Sequence, residues 1–315
     1  TGLARRLDWV LVNDTRLGLI KYRSPPSTIF ISMCMGNHAV TAAEKLLPQL
    51  SKPVVLFSGS GDITLPQQHT CGAPPTYRPG DPSTCKYFPY DAGQASAIRS
   101  LIESPLVERW IAENLVAPFP PKMRPVPLGF FPPHCQRRLP TRTAGRLRYN
   151  AEADVAAGGP CANVWPMARH ARRHDDSLDR PRSPRMNCFG NVRASPDYDD
   201  RRKLIHRCGR GGQWNDFSVL LGPEPLNHSA YLHALAGAAF TACAHGGGVD
   251  PAPKSFEALA MGSIPIVASS ALDGAYRKLP VVVVDSWDDP EAISVPKLEQ
   301  WHRELAPLVV GSRRD

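Results

Sequence analysis

Ala238-Ala-Phe-Thr-Ala-Cys-Ala-His245-Gly-Gly-Gly-Val-Asp250 opens the stretch that decides the fold. It continues as Pro253-Lys-Ser-Phe-Glu-Ala-Leu-Ala-Met-Gly262, then Ser-Ile-Pro-Ile-Val267, and ends in the apolar run 281–284. Apolar runs that do not alternate with polar residues are typical of parallel strands covered on both faces. Proline suits the first turn of a helix, and glycine suits its end. The order strand, glycine loop, helix, strand, strand predicts half of a doubly wound α/β sheet.

The glycines and the helix that follows them also predict an anion site. Backbone N–H groups near glycine and the start of a helix both favour a bound phosphate. Lys254 adds a positive charge in the first turn, and Glu257 leaves the same helical face three residues later, where a carboxylate can accept hydrogen bonds from a ribose diol. The alternative is that Lys254 and Glu257 form a solvated pair and that the glycines only make a tight turn.

The pattern resembles the donor-binding half of the exostosin-like glycosyltransferases, family 47, and of related GT-B enzymes. That resemblance rests on Gly246-Gly-Gly248, Lys254, Glu257-Ala-Leu259 and Gly262-Ser-Ile-Pro-Ile-Val267. Further matches follow downstream at Leu272-Asp273, Tyr276, Leu279-Pro280 and Asp285-Ser-Trp287. The resemblance implies a nucleotide-sugar site, with Lys254 near the diphosphate and Glu257 on the ribose.

The fold class that this resemblance implies is α/β and GT-B-like, with two Rossmann-like domains that face a cleft and a reduced N-terminal domain. The donor would be bound in the C-terminal domain. Its loop after the first strand often approaches the donor phosphates in such enzymes, and Asn191, Arg193, Arg201 and Arg202 are the alternatives there. The expected donor-binding residues are His245, Gly246, Gly247, Gly248, Asp250, Lys254, Ser255, Glu257, Asn191 and Arg201.

Residues 1–131 are predicted to form the N-terminal, acceptor-side domain. Apolar runs at 8–12, 28–35 and 53–58, with a helical period over 39–50, predict strands and a βαβ unit. Ser104 and Pro105 are typical of a helix start, so residues 104–114 are predicted to be helical. Residues 122–129 resemble a short strand of the family.

Residues 132–185 differ in composition from both flanking segments. Between Gln136 and Arg185 there are eleven arginines and five acidic residues, so most of the net charge of +8 lies in this one segment. No apolar period lasts for a full helix, which predicts a linker or disorder, with the C-terminal nucleotide-sugar domain at 186–315. An Arg-rich run can bind nucleic acid, but few aromatic residues accompany it and no nucleic-acid motif lies beside it. We therefore expect no nucleic-acid partner, and keep such binding as a second alternative.

The eight cysteines show no metal-ligand spacing. Cys34, Cys188 and Cys243 lie in apolar runs, where a buried free thiol is the expected state. Cys71 and Cys85 bracket a loop and are candidates for a disulfide in an oxidising compartment. No apolar run reaches the length of a membrane span. The family resemblance implies a type II membrane protein of the Golgi, with this chain a lumenal fragment and its anchor outside it.

The expected reaction moves a sugar from a nucleoside diphosphate sugar to a hydroxyl of a glycan or glycoprotein, with inversion. A UDP-sugar is the first expected donor. The acceptor hydroxyl needs a general base. Asp62, on the loop after a predicted strand, is the first candidate, and His38 is the second. No cofactor or divalent metal is expected, because GT-B enzymes commonly need none. The alternative from another class is an inactive relic that binds nucleotide or glycan without turnover.

Overall fold

The chain folds into a mixed α/β structure with two mainly parallel sheets. The structure, a computed structural model, describes residues 7–12, 18–32, 38–59, 64–67, 90–127, 185–189, 192, 198–222, 226, 228–246, 248–251 and 253–311. All strands of the first sheet lie within 1–131, and all strands of the second lie within 186–315. Both sheets therefore fall inside the segments that the sequence assigns to the two domains. We call the described residues of 1–131 the first domain and those of 186–315 the second domain.

The first sheet has six strands in the order β2-β1-β3-β4-β5-β6. They are β1 (Trp9–Val12), β2 (Gly18–Lys21), β3 (Thr28–Ser32), β4 (Val54–Gly59), β5 (Val107–Ala112) and β6 (Met123–Pro125). Only the pair of β1 with β2 is antiparallel. From β1 onward the strands follow chain order across the sheet, so their carboxyl ends form one continuous edge. Among the described residues this sheet has six strands and the second sheet has five, and the prediction of a reduced N-terminal domain stays a prediction.

Two helical segments connect strands of the first sheet. Helix α1 (His38–Thr41) continues as a π-helical turn (Ala42–Leu46) and a 3-10 turn (Leu47–Gln49), in place of the single regular helix predicted over 39–50. Helix α2 (Ala92–Glu103) begins with a capping box, in which the Asp91 carboxylate accepts from Gln94 N at 2.7 Å. Such caps satisfy amide groups that the first turn leaves unpaired.

The helix predicted over residues 104–114 is wrong, because this segment contains strand β5. The preceding helix, α2, had not been predicted. Ser104, taken as a helix start, instead follows the end of α2, and its hydroxyl accepts from Leu106 N at 3.1 Å. Trp110 is fully buried between β4 and β6, and this pairing with two neighbouring strands overrides the helix-like pattern of charges.

The second sheet has five parallel strands in the order β11-β10-β9-β7-β8. They are β7 (Met186–Phe189), β8 (Ser218–Leu221), β9 (Phe240–Ala242), β10 (Ile264–Ala268) and β11 (Val282–Val284). The chain leaves β7 toward β8 on one side and then returns to β9 on the other. Between β7 and β9 the direction of winding therefore reverses, and in open α/β sheets ligands bind at such a point, outside the carboxyl ends of the strands.

Five helices of the described residues accompany this sheet: α3 (Asp199–Cys208), α4 (His228–Gly237), α5 (Pro253–Met261), α6 (Asp273–Tyr276) and α7 (Val295–Gly311). The predicted start of α5 at Pro253 is confirmed. Its predicted end is confirmed too, since Gly262 follows the last helical residue with φ of 82°, a left-handed conformation that favours glycine. The stretch 238–287 thus has the predicted order of strand, loop, helix, strand and strand.

The cysteines of the second domain differ from the sequence-based expectation at one position. Cys188, expected to be a free thiol, is bonded to Cys208, which joins strand β7 to the end of helix α3. Cys243 is free and buried, as expected. The predicted Cys71–Cys85 pair, Cys34 and residues 132–184 of the Arg-rich segment lie outside the described residues. Within the described part of the chain, no helix has the length and apolar character needed to cross a bilayer.

Candidate anion site at the strand reversal

The candidate site lies where β7 and β9 end and helix α5 begins. Residues 245–250, which we call the glycine loop, follow β9 and lead toward α5. Gly247 lies outside the described residues. Phe189, the last residue of β7, lies on the other side of the reversal point. The topology therefore brings the end of β7, the glycine loop and the first turn of α5 together.

Lys254 is a half-buried cation that forms no ion pair with a carboxylate of the described residues. In the described part of the chain, no carboxylate oxygen lies within 4.0 Å of its Nζ. The Nζ atom instead lies 4.8 Å from the centroid of the Phe189 ring, a cation–π contact. Burial, and then the charge of Arg201, lower the pKa of Lys254 to about 8, against smaller opposite effects of Cys243 and Glu257. The fold therefore disfavours the charged form of Lys254 at this point.

Glu257 is buried on the same helix and is held by a tyrosine from α4. Its side chain is 5% exposed, and Tyr231 OH donates to its Oε2 atom at 2.6 Å. Burial raises the pKa of Glu257, although the Tyr231 hydrogen bond and the charge of Lys254 act in the opposite direction. The interpretation of Lys254 and Glu257 as a solvated ion pair is therefore wrong.

An aromatic pair connects these two charged residues. The Tyr231 ring lies 5.2 Å from the Phe189 ring, centroid to centroid, at an interplanar angle of 55°. Phe189 therefore contacts Lys254 on one side of the site, while Tyr231 binds Glu257. Neither aromatic residue was among the predicted site residues. The position of Phe189 at the end of a buried strand was the one sequence signal that pointed to it.

Arg201 is the arginine of helix α3 that reaches the glycine loop. Its Nε donates to the carbonyl oxygen of His245 at 3.2 Å, and its guanidinium also stacks over the Tyr198 ring at 5.1 Å. A Cβ atom at Gly246 would lie 3.3 Å from its terminal nitrogen. Arg202 instead faces Asp199 at 3.5 Å on the exposed side of the helix. Among the four alternatives for this region, Asn191 and Arg193 lie outside the described residues.

Each ring nitrogen of His245 lies beside an oxygen atom that can accept a hydrogen bond. Its Nε2 lies 2.8 Å from Asp200 Oδ2, and its Nδ1 lies 3.2 Å from the Gly246 carbonyl oxygen. Only the imidazolium form can donate to both at once. Burial alone would lower the pKa of His245, but the Asp200 carboxylate outweighs it and the pKa is raised. The ring therefore links helix α3 to the glycine loop through Asp200.

Two further predicted donor-binding residues are enclosed by the protein. Asp250 is 4% exposed and Ser255 is 0% exposed. Asp250 N donates to Asn114 Oδ1 at 3.0 Å, which is a contact with the first domain. Both residues therefore lie inside the fold around the loop, and their contact with a donor stays a prediction.

The first domain reaches the glycine loop through Asn114, two residues after β5. Its Oδ1 atom accepts from Val249 N and Asp250 N, each at 3.0 Å. The sequence analysis does not identify Asn114 as a site residue, because it predicts a helix over 104–114 in place of strand β5. Had the strand been recognised, a polar residue after its carboxyl end would have pointed to the site.

The predicted base candidates belong to the same domain. His38 is the first residue of α1, and Asp62 lies outside the described residues. Glu113 is an acid that the sequence analysis did not single out. A Cβ atom at Gly59, the last residue of β4, would lie only 2.3 Å from the Glu113 carboxylate, so this side chain crosses the end of β4.

In the described residues, no group of three or more His, Cys, Asp or Glu side chains is arranged to hold a metal ion. Compared with known proteins, the chain matches no family model and no curated protein.

The Tyr231–Glu257 hydrogen bond yields a stability prediction. We expect Tyr231→Phe to lower the free energy of unfolding by about 1–3 kcal/mol, because it leaves a buried carboxylate without its donor. Urea denaturation at neutral pH measures the change. Tyr22→Phe, at an exposed tyrosine, is the matched control and should leave the stability unchanged. Equal stability of Tyr231→Phe and wild type would contradict the role of this bond.

Proposed function

We propose that the protein is a glycosyltransferase that moves a sugar from a nucleoside diphosphate sugar to a hydroxyl of a glycan or glycoprotein, with inversion. UDP-linked sugars are the first donors to test. The observation that carries the proposal is Lys254, a half-buried cation that lies at the strand reversal without a carboxylate within 4.0 Å in the described residues. A diphosphate is a ligand that fits such a charge.

Electrostatics favour a diphosphate over a neutral ligand. Arg201 contributes to the lowered pKa of Lys254, so the two cations repel each other in the unliganded protein. A bound diphosphate would relieve that repulsion and raise the pKa of Lys254 back toward its ordinary value. The same two groups would then stabilise the diphosphate as it leaves the sugar, which is how preorganised cations accelerate glycosyl transfer.

The proposed architecture is GT-B, with the donor in the C-terminal domain and the acceptor on the N-terminal side. Its support is the pair of mainly parallel sheets, the contact between Asn114 and the glycine loop, and the resemblance of residues 245–287 to exostosin-like enzymes. Glu257 is proposed to bind the ribose. No divalent metal and no other cofactor is part of the proposal.

The general base is proposed to come from the strand-end edge of the first sheet. Asp62, three residues after β4 in the sequence, is the first candidate, with His38 as the second. Glu113 is added to them, since it follows β5 at the same edge. Asp62→Asn and Glu113→Gln separate the two acids, because loss of the base lowers kcat while the affinity for the donor is kept.

The proposed compartment is the Golgi lumen. The Cys188–Cys208 disulfide supports an oxidising environment, since such bonds persist there and are rare in the cytosol.

The test is transfer or hydrolysis with a panel of UDP- and GDP-sugars. We expect turnover with at least one donor, and a loss of at least about a hundredfold in kcat/KM for Lys254→Ala and for Glu257→Ala, which is the typical effect of removing one stabilising group. Lys278→Ala and Glu299→Ala, at exposed positions, are matched controls that should retain activity. Turnover that survives both site substitutions would refute the assignment. Nucleotide binding without turnover would favour the inactive relic.

A further inference from the structure

We propose that Asn114 is a positioning residue that couples the contact between the two domains to donor binding. Its side chain fixes the shape of the glycine loop, so the nucleotide binds tightly only when the first domain makes this contact. The inference rests on the proposed function for the identity of the ligand. Its geometric part depends only on the hydrogen bonds between Asn114 and the loop.

The contact joins one buried oxygen to two consecutive amides. Asn114 is 3% exposed, and its Oδ1 accepts from Val249 N and Asp250 N at 3.0 Å each. Two adjacent N–H groups that point to one acceptor define the backbone turn that leads into helix α5. Asn and Asp side chains often make such bonds to the backbone of their own segment. Here the acceptor comes from a residue more than a hundred positions away, in the other domain.

Asn114 is itself held firmly by the first domain. Its φ of 52° is left-handed, a conformation that Asn tolerates better than most residues. Its carbonyl oxygen accepts from Leu65 N at 3.1 Å, and Val116 N donates to Leu65 O at 2.7 Å. Leu65 and Leu115 are both buried in the core of the first sheet. The backbone of Asn114 is therefore fixed to that core, and its side-chain amide moves with the core.

Gly248 is required by the same contact. A Cβ atom at this position would lie 2.2 Å from Asn114 Oδ1 and 2.7 Å from its Cγ. Such distances are far below van der Waals contact, so any side chain would separate the domains or displace Asn114. The approach of the first domain therefore requires a glycine at this position, and a contact of Gly248 with an anion stays a prediction.

The coupling follows from where these amides lie in the chain. Asp250 is three residues before Pro253, the first residue of helix α5, and Lys254 follows in the first turn. If the first domain moves away, the buried amide of Asp250 and the part-buried amide of Val249 lose their acceptor, and the segment that presents Lys254 loses its fixed shape. A ligand that needs this shape binds the joined state better, and the two equilibria are linked by the same free energy.

The experiment is a double-mutant cycle on Asn114→Gly and Gly248→Ala. Glycine at 114 keeps the left-handed backbone and removes the side-chain oxygen. We expect Asn114→Gly to weaken UDP binding about thirtyfold, as the loss of two hydrogen bonds of typical strength implies. Gly248→Ala should weaken UDP binding strongly in the wild-type background and little in the Asn114→Gly background, where the clash is gone. Isothermal titration measures all four affinities.

Gly274→Ala is the matched control, because a Cβ atom there meets nothing within 4 Å. Hydrogen exchange of the segment with the amides of Val249 and Asp250 gives a second readout that needs no ligand, and Asn114→Gly should speed it. If wild-type protein binds no nucleotide, the proposed function fails, and hydrogen exchange alone then decides the contact. Unchanged exchange in Asn114→Gly, or equal effects of Gly248→Ala in both backgrounds, would overturn the inference.

Discussion

A Lys254→Met variant is expected to be more stable than the wild-type protein without ligand and to bind UDP at least about a hundredfold more weakly. The lowered pKa of Lys254, about 8, means that the fold holds its charged form at a cost. Methionine has a similar length and packs well against aromatic rings such as Phe189, so it removes the cost without leaving a cavity. Thermal unfolding and isothermal titration of the two proteins measure the two effects.

The expected gain in stability depends on pH with a defined sign. Between pH 8 and the ordinary lysine pKa of 10.5, the unfolded chain binds a proton that the folded protein has released. Wild-type stability therefore rises with pH in this window through Lys254, and the advantage of Lys254→Met shrinks above pH 8. Lys278→Met, at an exposed position, is the control and should show neither effect. A less stable Lys254→Met protein at pH 7 would show that the lysine stabilises the unliganded fold.

The second domain could be predicted well from sequence because its signals are local. A buried strand, a glycine loop, Pro253 at the start of a helix and Gly262 after its end each depend on neighbouring residues. The structure confirms this order of elements. The positions of Lys254 and Glu257 at the site follow from it, since a helix start after a parallel strand has only one place in such a sheet.

The first domain shows where local signals fail. Strand β5 carries Glu108 and Arg109, which made it resemble a helix, while its buried Trp110 donates through Nε1 to Ser58 Oγ at 2.8 Å. That partner lies fifty-two positions earlier in the chain. The strand depends on such distant contacts, and its loss from the prediction also hid Asn114.

The contacts of the charged site residues could not be predicted from the sequence either. Tyr231 lies twenty-six positions before Glu257, on another helix, and nothing in its own segment indicates a buried hydroxyl that needs an acceptor. Asp200 and His245 lie on α3 and on the glycine loop, and meet only because β7 and β9 are neighbours. Sequence patterns identified the charged groups of the site, whereas the packing of the sheet determines which groups they meet.

Removal of the Cys188–Cys208 disulfide, in a Cys188→Ala/Cys208→Ala variant, is expected to lower the free energy of unfolding by about 3 kcal/mol. A bond that closes a loop of 20 residues restricts the unfolded chain by roughly this amount. The bond also ties helix α3 to the strand that ends in Phe189. Because α3 carries both Arg201 and Asp200, its release should also weaken UDP binding. Urea denaturation and isothermal titration measure the two losses.

A reducing agent provides the control for this variant. It should destabilise the wild-type protein, and should have a smaller effect on the double variant, which lacks the bond. Any effect that remains in the double variant comes from other cysteines, which separates a Cys71–Cys85 bridge from the one in the second domain. If wild type and variant unfold at the same urea concentration, the two thiols are not joined. The oxidising compartment that the bond supports would then lose its structural argument, while the anion site would keep its own.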